Sequence, residues 1–292
     1  MKINDILAKK RTLSFEVFPP KKNDENCDKL LRTIDELKEL NPDFISVTYG
    51  ALGSNSKNTS RIAGYIKNEA GIEPLAHITA GPSSYEDIDR LLEEYKSLNI
   101  ENVLALRGDK PVDADIEYCK YFKHATDLQE YMKGKGFNIA AACYPEGHQE
   151  CDSLYEDLKY MKMKEDLGAT FFITQVFYDN SYYYRLVNEA RRIGIKSPII
   201  PGIMPYARNS NLKKVQKMCG STIPLDFRNM VERYKDNPVL LEEIGFNYAA
   251  YQIIDLIAKG APGVHLYTMN NARVAKEVCK RIENVIKELF KA

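Results

Sequence analysis

Apolar and polar residues alternate with a period of two in several short segments of the chain. In "LSFEVF", Leu13, Phe15 and Val17 alternate with Ser14 and Glu16. This period is typical of a β-strand, because successive side chains point to opposite faces. Further short apolar segments also predict strands, namely "FISVTYG", "PLAHITA", "NVLALRG", "NIAAACY", "TFFITQVF", "PIIPGIM" and "GVHLYTM".

Longer segments between these strands have apolar residues at three- and four-residue spacing, which predicts amphipathic helices. The clearest are "ENCDKLLRTIDELKEL", "SSYEDIDRLLEEYKSLN", "DSLYEDLKYMKMKEDLG" and "NSYYYRLVNEARRIG". Ser83 or Ser84 can cap the second of them, and Gly168 and Gly194 can end the last two in the left-handed conformation.

Strands that alternate with helices in this way predict an α/β fold. Eight strands, each followed by a helical segment, match a (β/α)8 TIM barrel better than an open doubly wound sheet. The region 206–262 is longer than one crossover needs, so we expect an extra helix, "IPLDFRNMVERYK", before the last strand. Without a linker, low-complexity tract or internal repeat, residues 1–292 are expected to form a single domain.

This fold changes the interpretation of Glu16. On a strand with one wet face, a glutamate facing water would be ordinary. In a parallel barrel, helices cover the outer face and side chains fill the inner one. Leu13, Phe15 and Val17 then suit the helix-facing layer, and Glu16 points into the barrel. A buried carboxylate is costly unless it is paired or protonated, which favours a functional role.

Composition excludes several classes of protein. Lys plus Arg and Asp plus Glu both number 41, so there is no basic footprint for nucleic acid or a membrane surface. No apolar run is long enough to span a bilayer, and the amino terminus lacks a signal peptide core. We therefore expect a cytoplasmic protein whose six scattered cysteines are reduced thiols. Cys143, His148 and Cys151 lack zinc-knuckle spacing and a fourth ligand, so no metal site is expected.

Polar residues gather where the predicted strands end, which is where barrel active sites lie. A loop hydrogen bond could explain any one of them, but their number favours an active site. Glu16 and Asp109 are candidates for proton transfer and cation stabilisation. Arg107, His148 and Lys164 could hold a phosphate-bearing cofactor, although a solvated helix face also explains the lysine. The strand-end residues are Glu16, Thr48, Tyr49, His77, Thr79, Arg107, Gly108, Asp109, Tyr144, Glu146, His148, Gln175, Tyr267 and Asn270.

Several motifs resemble, in order, those of the methylenetetrahydrofolate reductase family. They are "SFEVFPPK", "FISVTYGA", "LALRGD", "AACYPEGH", "FFITQVFYD", "PGIMP" and "HLYTMN". The resemblance implies a (β/α)8 flavoprotein that binds FAD without a G-x-G-x-x-G fingerprint, and this chain has no such fingerprint. It also implies reduction of 5,10-methylenetetrahydrofolate to 5-methyltetrahydrofolate in one-carbon metabolism and methionine supply.

In the scheme that the resemblance implies, a donor first reduces FAD and leaves, and folate then takes the hydride at the same site. NADH is the expected donor, although NADPH or a partner electron-transfer protein would also serve. We also expect a homo-oligomer. Two other functions stay open: a flavin-binding subunit that only relays electrons in a larger complex, and a non-flavin barrel methyltransferase that binds a pterin or folate.

The resemblance also assigns roles to single residues. Glu16 is the general acid, and Asp109 sits beside the flavin and the pterin. Gln175, Asn211 and Asn271 fall at substrate-binding positions. The residues at FAD-binding positions are Thr48, Tyr49, Ala51, His77, Arg107, Gly108, Asp109, Ala125, Tyr144, His148, Asp157 and Lys164.

The chain departs from the family pattern at several of these places. Relatives often have an arginine where this chain has Asn271, with Arg273 two residues further on. On the helix "YMKMK", Tyr160 replaces a polar flavin contact and Met163 replaces an arginine. Asn211 stands where relatives can have a glutamine that contacts folate. These changes concern the folate tail and the adenine side of FAD more than the chemistry.

Overall fold

In the computed structural model, parallel strands form a barrel with helices around it. The structure describes residues 1–20, 24–49, 56–81, 83–108, 119–207 and 212–291. Within them the strands are β1 (Thr12–Val17), β2 (Phe44–Val47), β3 (Glu73–Thr79), β4 (Asn102–Leu106), β5 (Asn138–Cys143), β6 (Ala169–Thr174), β7 (Ile199–Ile200), β8 (Gly202–Ile203) and β9 (Gly263–Tyr267). The helices are α1 (Ile3–Leu7), α2 (Asp24–Lys38), α3 (Ser56–Asn68), α4 (Tyr85–Ser97), α5 (Ala125–Met132), α6 (Leu154–Asp166), α7 (Asn180–Arg192), α8 (Leu212–Cys219), α9 (Leu225–Arg233), α10 (Pro238–Ala258), α11 (Ala272–Arg281) and α12 (Glu283–Leu289).

The strand order confirms the predicted barrel. Neighbouring strands run parallel in the order β7-β6-β5-β4-β3-β2-β1-β9-β8. Only Pro201 separates β7 from β8. Proline has no backbone N–H, so it cannot donate a hydrogen bond to a neighbouring strand. Because β7 pairs with β6 while β8 pairs with β9, these two short strands occupy one barrel position and close the sheet.

The side chains of β1 divide as the period-two pattern predicts. Leu13, Phe15 and Val17 are buried in the large cluster between strands and helices, together with Leu30 and Ile34 of α2. A second, smaller cluster fills the barrel interior. It consists of Ile3, Phe44, Leu75, Leu104, Ala140, Phe171, Ile173 and Ile200.

Helix α1 lies at the amino-terminal end of the barrel. Its first residue, Ile3, packs in the interior cluster, and its backbone N–H donates to Asn102 Oδ1 at 2.8 Å. Asn102 also donates to the Met1 carbonyl oxygen at 3.1 Å and accepts from Asn138 Nδ2 at 3.0 Å. Apolar packing and buried amides therefore fill the interior at this end, and ion pairs such as that between Lys67 and Glu73 lie around it.

The helix boundaries follow the predicted caps. Ser84, rather than Ser83, caps α4: its Oγ accepts from the N–H of Asp87, whose carboxylate accepts from the N–H of Ser84. Gly168 and Gly194 have φ of 106° and 85°, as a glycine after a helix allows.

The region before the last strand contains the predicted extra helix as α9. It also contains α8, which the sequence analysis did not predict. Ser221 Oγ, between these two helices, donates to the Val176 carbonyl oxygen at 2.6 Å. Glu146 accepts from the backbone N–H of Thr222 at 2.8 Å and from its hydroxyl at 2.5 Å. The segment is therefore fixed to the loops that follow β5 and β6.

Candidate active site

Glu16 points into the barrel near the carboxyl end of β1, as predicted. Only 7% of the residue is exposed. Ser46 Oγ donates to Glu16 Oε2 at 3.2 Å. The Nε2 atoms of His77 and His265 lie 3.5 and 3.8 Å from the same oxygen. A hydroxyl and two imidazoles thus surround a single buried carboxylate.

His265 connects this carboxyl group to a second serine. Ser14 Oγ donates to the Val264 carbonyl oxygen at 3.1 Å, so its oxygen is left to accept from His265 Nδ1 at 2.8 Å. The Nε2 of His265 lies 3.2 Å from Ser46 Oγ, which contacts Glu16. His265 was not among the residues predicted for the site, and this chain of polar groups was not predicted. The period-two pattern of β1 indicates part of this arrangement, because it places Ser14 and Glu16 on the same face of the strand.

His77 is the second imidazole beside Glu16. Its pKa is lowered from 6.5 to about 4, chiefly by burial; the Glu16 carboxylate opposes this shift, and His265 adds to it. The imidazole is therefore neutral near pH 7. Its Nε2 is buried and has no hydrogen-bond partner among the described residues. Such an atom is costly unless a ligand or water meets it.

Two residues after β9 hold the backbone of Glu16 and Phe18. Thr268 Oγ1 donates to the Glu16 carbonyl oxygen at 2.8 Å. Asn270 accepts from the Phe18 N–H at 2.8 Å and donates to its carbonyl oxygen at 2.7 Å. Asn270 was predicted as a strand-end polar residue, and here it joins two chain segments. Thr268 was not singled out.

A second group of predicted residues meets between β5 and α6. His148 donates its backbone N–H to Asp157 Oδ2 at 3.1 Å, and its Nδ1 accepts from the Glu150 N–H at 3.1 Å. Lys164 Nζ donates to the Ala142 carbonyl oxygen at 2.8 Å. The Tyr144 ring meets the His148 ring edge to face at 4.6 Å. These residues come from one strand end and one helix.

Burial shifts the ionisation of this group. It raises the pKa of Asp157 and lowers the pKa of Lys164, and each of the two charges partly offsets the shift of the other. Burial also lowers the pKa of His148. A cation and a carboxylate removed from water in this way suit a phosphate and a hydroxyl group of a ligand.

Arg107 lies at the end of β4 and forms a two-pronged ion pair with Glu150; its Nη2 donates to Oε1 at 2.9 Å. This pair raises the pKa of Arg107. Glu150 is largely exposed, and an exposed ion pair contributes little stability, so a ligand phosphate can replace the carboxylate. Gly108 follows with φ of 86°, a conformation that favours glycine.

The other predicted residues are placed as follows. Thr48 and Tyr49 follow β2, Ala125 begins α5, and Gln175 follows β6, with its Oε1 accepting from the Val176 N–H at 2.8 Å. Asn271 is exposed and caps α11 by accepting from the Arg273 N–H at 3.1 Å. Its role toward substrate stays a prediction. Ala51, Asp109 and Asn211 lie outside the described residues.

Two strand-end residues have structural contacts. Glu146 holds the α8–α9 connection. The Tyr267 hydroxyl donates to the Thr174 carbonyl oxygen at 2.7 Å, past the barrel position that β7 and β8 share. Gly202 makes room for this ring, because a Cβ there would lie 2.6 Å from a Tyr267 ring carbon.

No group of three or more His, Cys, Asp or Glu side chains suited to a metal ion occurs in the described part of the chain. Cys143 is buried, its thiol 3.8 Å from the Ile173 carbonyl oxygen. All six cysteines are free thiols.

The described residues fit FAD. The unpaired Nε2 of buried His77 offers a hydrogen-bonding position beside Glu16. Lys164, His148 and Arg107 supply donors for a pyrophosphate, and Asp157 can accept from a ribose hydroxyl.

The fold and the site together define an α/β-barrel protein with its polar and charged groups at the carboxyl ends of the strands. A family model described as methylenetetrahydrofolate reductase matches residues 2–283, and the chain belongs to that family. No described helix is both long enough and apolar enough to cross a membrane.

Named relatives support the family assignment. Methylenetetrahydrofolate reductase (NADH) 1 of Arabidopsis thaliana is 35% identical over 284 residues, which cover 92% of this chain and 48% of the relative. The chain thus spans about half the length of that plant protein. The 5,10-methylenetetrahydrofolate reductase of Escherichia coli is 34% identical over 268 residues, which cover 91% of this chain and 89% of the relative.

A solved structure has the same fold. It is an uncharacterized Clostridium thermocellum protein that binds two copies of 5-methyl-5,6,7,8-tetrahydrofolic acid. It aligns with a TM-score of 0.65 at 15% identity and covers 97% of this chain and all of that protein. At this identity the likeness concerns the fold alone.

Proposed function

We propose that this protein uses FAD to reduce 5,10-methylenetetrahydrofolate to 5-methyltetrahydrofolate. The observation that carries the proposal is the buried Glu16 carboxyl group at the active end of the barrel. It lies beside neutral His77, whose Nε2 has no partner among the described residues. The names of the Arabidopsis and E. coli relatives support the same reaction.

In this proposal, Glu16 donates a proton to a folate nitrogen and so opens the five-membered ring to a cation. Ser46 holds its carboxyl group toward the site, and His265 contacts Ser46. Bound FAD supplies the hydride. Asp109 stabilises the cation with its negative charge, and Gln175 contacts the folate. His148, Asp157, Lys164 and Arg107 hold the cofactor.

The donor and partners belong to the same proposal. NADH is the proposed donor, as the printed name of the Arabidopsis relative suggests for that protein. A partner electron-transfer protein is the alternative donor. We also propose a cytoplasmic homo-oligomer. Six cysteines without a disulfide suit a reducing compartment, and apolar residues exposed on the outer face of α10 suit self-association.

An absorption spectrum followed by anaerobic reduction tests the proposal. We expect a yellow protein that releases FAD on heating, is bleached by NADH and is reoxidised by methylenetetrahydrofolate with formation of methyltetrahydrofolate. A colourless protein that still binds folate would favour the methyltransferase alternative. A flavoprotein that forms no methyltetrahydrofolate with any reductant, and does not oxidise it with an artificial acceptor, would favour the electron-relay subunit.

A further inference from the structure

The flank of α6 beside the proposed cofactor site carries an exposed aromatic residue. Tyr160 is 47% exposed, although it lies on the helix that supplies Asp157 and Lys164. At 3.6 residues per turn, Asp157, Tyr160 and Lys164 fall within an arc of about 60°. Tyr155, on the same helix, falls about 160° from Asp157. Tyr160 is thus next to the charged groups, and Tyr155 is on the outer side.

The two tyrosines also differ in what their rings contact. Lys159 Nζ lies 4.6 Å from the centre of the Tyr155 ring. The Tyr160 ring stacks on no other ring of the described residues, and its hydroxyl has no hydrogen-bond partner among them. Met163 is 48% exposed but lines a surface depression with Tyr155 and Ile193 instead. Tyr160 therefore presents an exposed aromatic ring on the flank of α6 that carries Asp157 and Lys164.

We propose that Tyr160 stacks on the adenine ring of FAD while Lys164 and its neighbours hold the pyrophosphate. The inference rests on the proposed function, in which FAD is the cofactor. A dinucleotide needs positive charge for its phosphates and a flat apolar surface for its base, and this flank offers both in adjacent positions. In this proposal the adenine is recognised by stacking on the exposed ring of Tyr160.

Flavin titrations of residues 1–292 test this inference directly. The purified chain is freed of flavin and titrated with FAD and, separately, with FMN, which lacks the adenylate. The variants are Tyr160→Ala, Tyr160→Phe and, as the matched control, Tyr155→Ala. Binding is followed by flavin fluorescence, and circular dichroism checks that each variant is folded.

We expect Tyr160→Ala to weaken FAD binding by about 10-fold or more, because base–aromatic stacking is typically of this size. Tyr160→Phe keeps the ring and should change the FAD dissociation constant by no more than about 3-fold. FMN binding should be the same in all variants, and Tyr155→Ala should bind FAD like the parent.

Three results would overturn the inference and leave the proposed function intact. The first is that Tyr160→Ala binds FAD as tightly as the parent. The second is that Tyr160→Ala loses affinity for FAD and FMN equally, which would mean that the ring acts by supporting the helix. The third is that Tyr155→Ala loses as much FAD affinity as Tyr160→Ala. If the parent chain binds no flavin at all, the proposed function fails as well.

Discussion

At the scale of single residues, Glu16 is held from several directions. Ser46 fixes one carboxylate oxygen, and Thr268 fixes the backbone carbonyl of the same residue. The carboxyl group is therefore already oriented before any substrate binds. General acids need this orientation, because a misplaced proton donor loses most of its effect.

Replacing Glu16 with Gln keeps the volume and a hydrogen-bonding group but removes the transferable proton. We expect Glu16→Gln to hold FAD normally and to be reduced by the donor at a near-parent rate. Folate reduction should fall by about 100-fold or more. Stopped-flow measurement of the two half-reactions separates these effects. Glu93→Gln, on the exposed face of α4, is the control. Folate reduction at the parent rate would mean that the proton comes from another group.

His77 makes stability depend on pH. Its pKa is about 4 in the folded chain and about 6.5 when unfolded, so the unfolded chain takes up the proton first as the pH falls. The stability associated with neutral His77 is complete above pH 6.5 and declines as the pH falls toward 4. Between pH 7.5 and pH 5 we expect this group to remove about 2 kcal/mol from the free energy of unfolding.

The His77→Gln variant isolates this contribution. Urea unfolding of the flavin-free parent and variant at both pH values gives, for each protein, the change in the free energy of unfolding with pH. The parent should lose about 2 kcal/mol more than the variant on going from pH 7.5 to pH 5. Equal losses in both would mean that His77 is not held neutral in the folded protein.

At the scale of elements, periodicity predicted the strands and the main helices because each buries one face or one stripe. It also gave the orientation of Glu16, since Leu13, Phe15 and Val17 need the helix-facing layer. It did not predict α8, a helix of only eight residues, although Leu212, Val215 and Cys219 recur at three- and four-residue spacing and pack against an apolar cluster. Nor could it bring His77 and His265 to one carboxylate, because that contact depends on how distant strands pair.

Glu146 is one of the side chains that hold the connection between α8 and α9, together with Ser221. Glu146 accepts two hydrogen bonds from Thr222, so Glu146→Ala should destabilise this segment by about 1–2 kcal/mol. We expect amide exchange at Thr222 and along α8 to accelerate by about 5- to 30-fold, with α10 unchanged. Mass spectrometry of exchanged peptides measures this, with Glu156→Ala as the control. Unchanged exchange at Thr222 would show that other contacts hold the segment.

At the scale of the whole molecule, the outer face of α10 suits a second copy of the chain. Leu240, Glu243, Asn247, Tyr251 and Ile254 form one exposed stripe at three- and four-residue spacing. The stripe is symmetric about Asn247: Leu240 and Ile254 lie seven residues away on either side, and Glu243 and Tyr251 lie four. A two-fold axis there would place Leu240 of one copy against Ile254 of the other, and Glu243 against Tyr251.

We expect the parent to be a dimer or a larger even-numbered assembly, and Ile254→Asp to break this contact. An unpaired carboxylate in an apolar interface costs several kcal/mol, so the α10 contact should be lost at micromolar concentration. Light scattering after gel filtration gives the mass, with Tyr155→Asp as a control on α6. A parent chain that is monomeric, or an Ile254→Asp variant of unchanged mass, would rule out this interface.

The two ends of the barrel also differ in what inherited changes would do. At the amino-terminal end, Ile3, Leu75 and Asn102 pack and bond among themselves, away from Glu16 and Lys164. Substitutions there would act on folding and produce heat-sensitive alleles whose surviving molecules turn over normally. Substitutions at the opposite end would produce proteins of normal abundance that fail in one chemical step. Extra cofactor in the growth medium would restore activity only where a substitution weakens flavin binding, or weakens a fold that bound flavin stabilises.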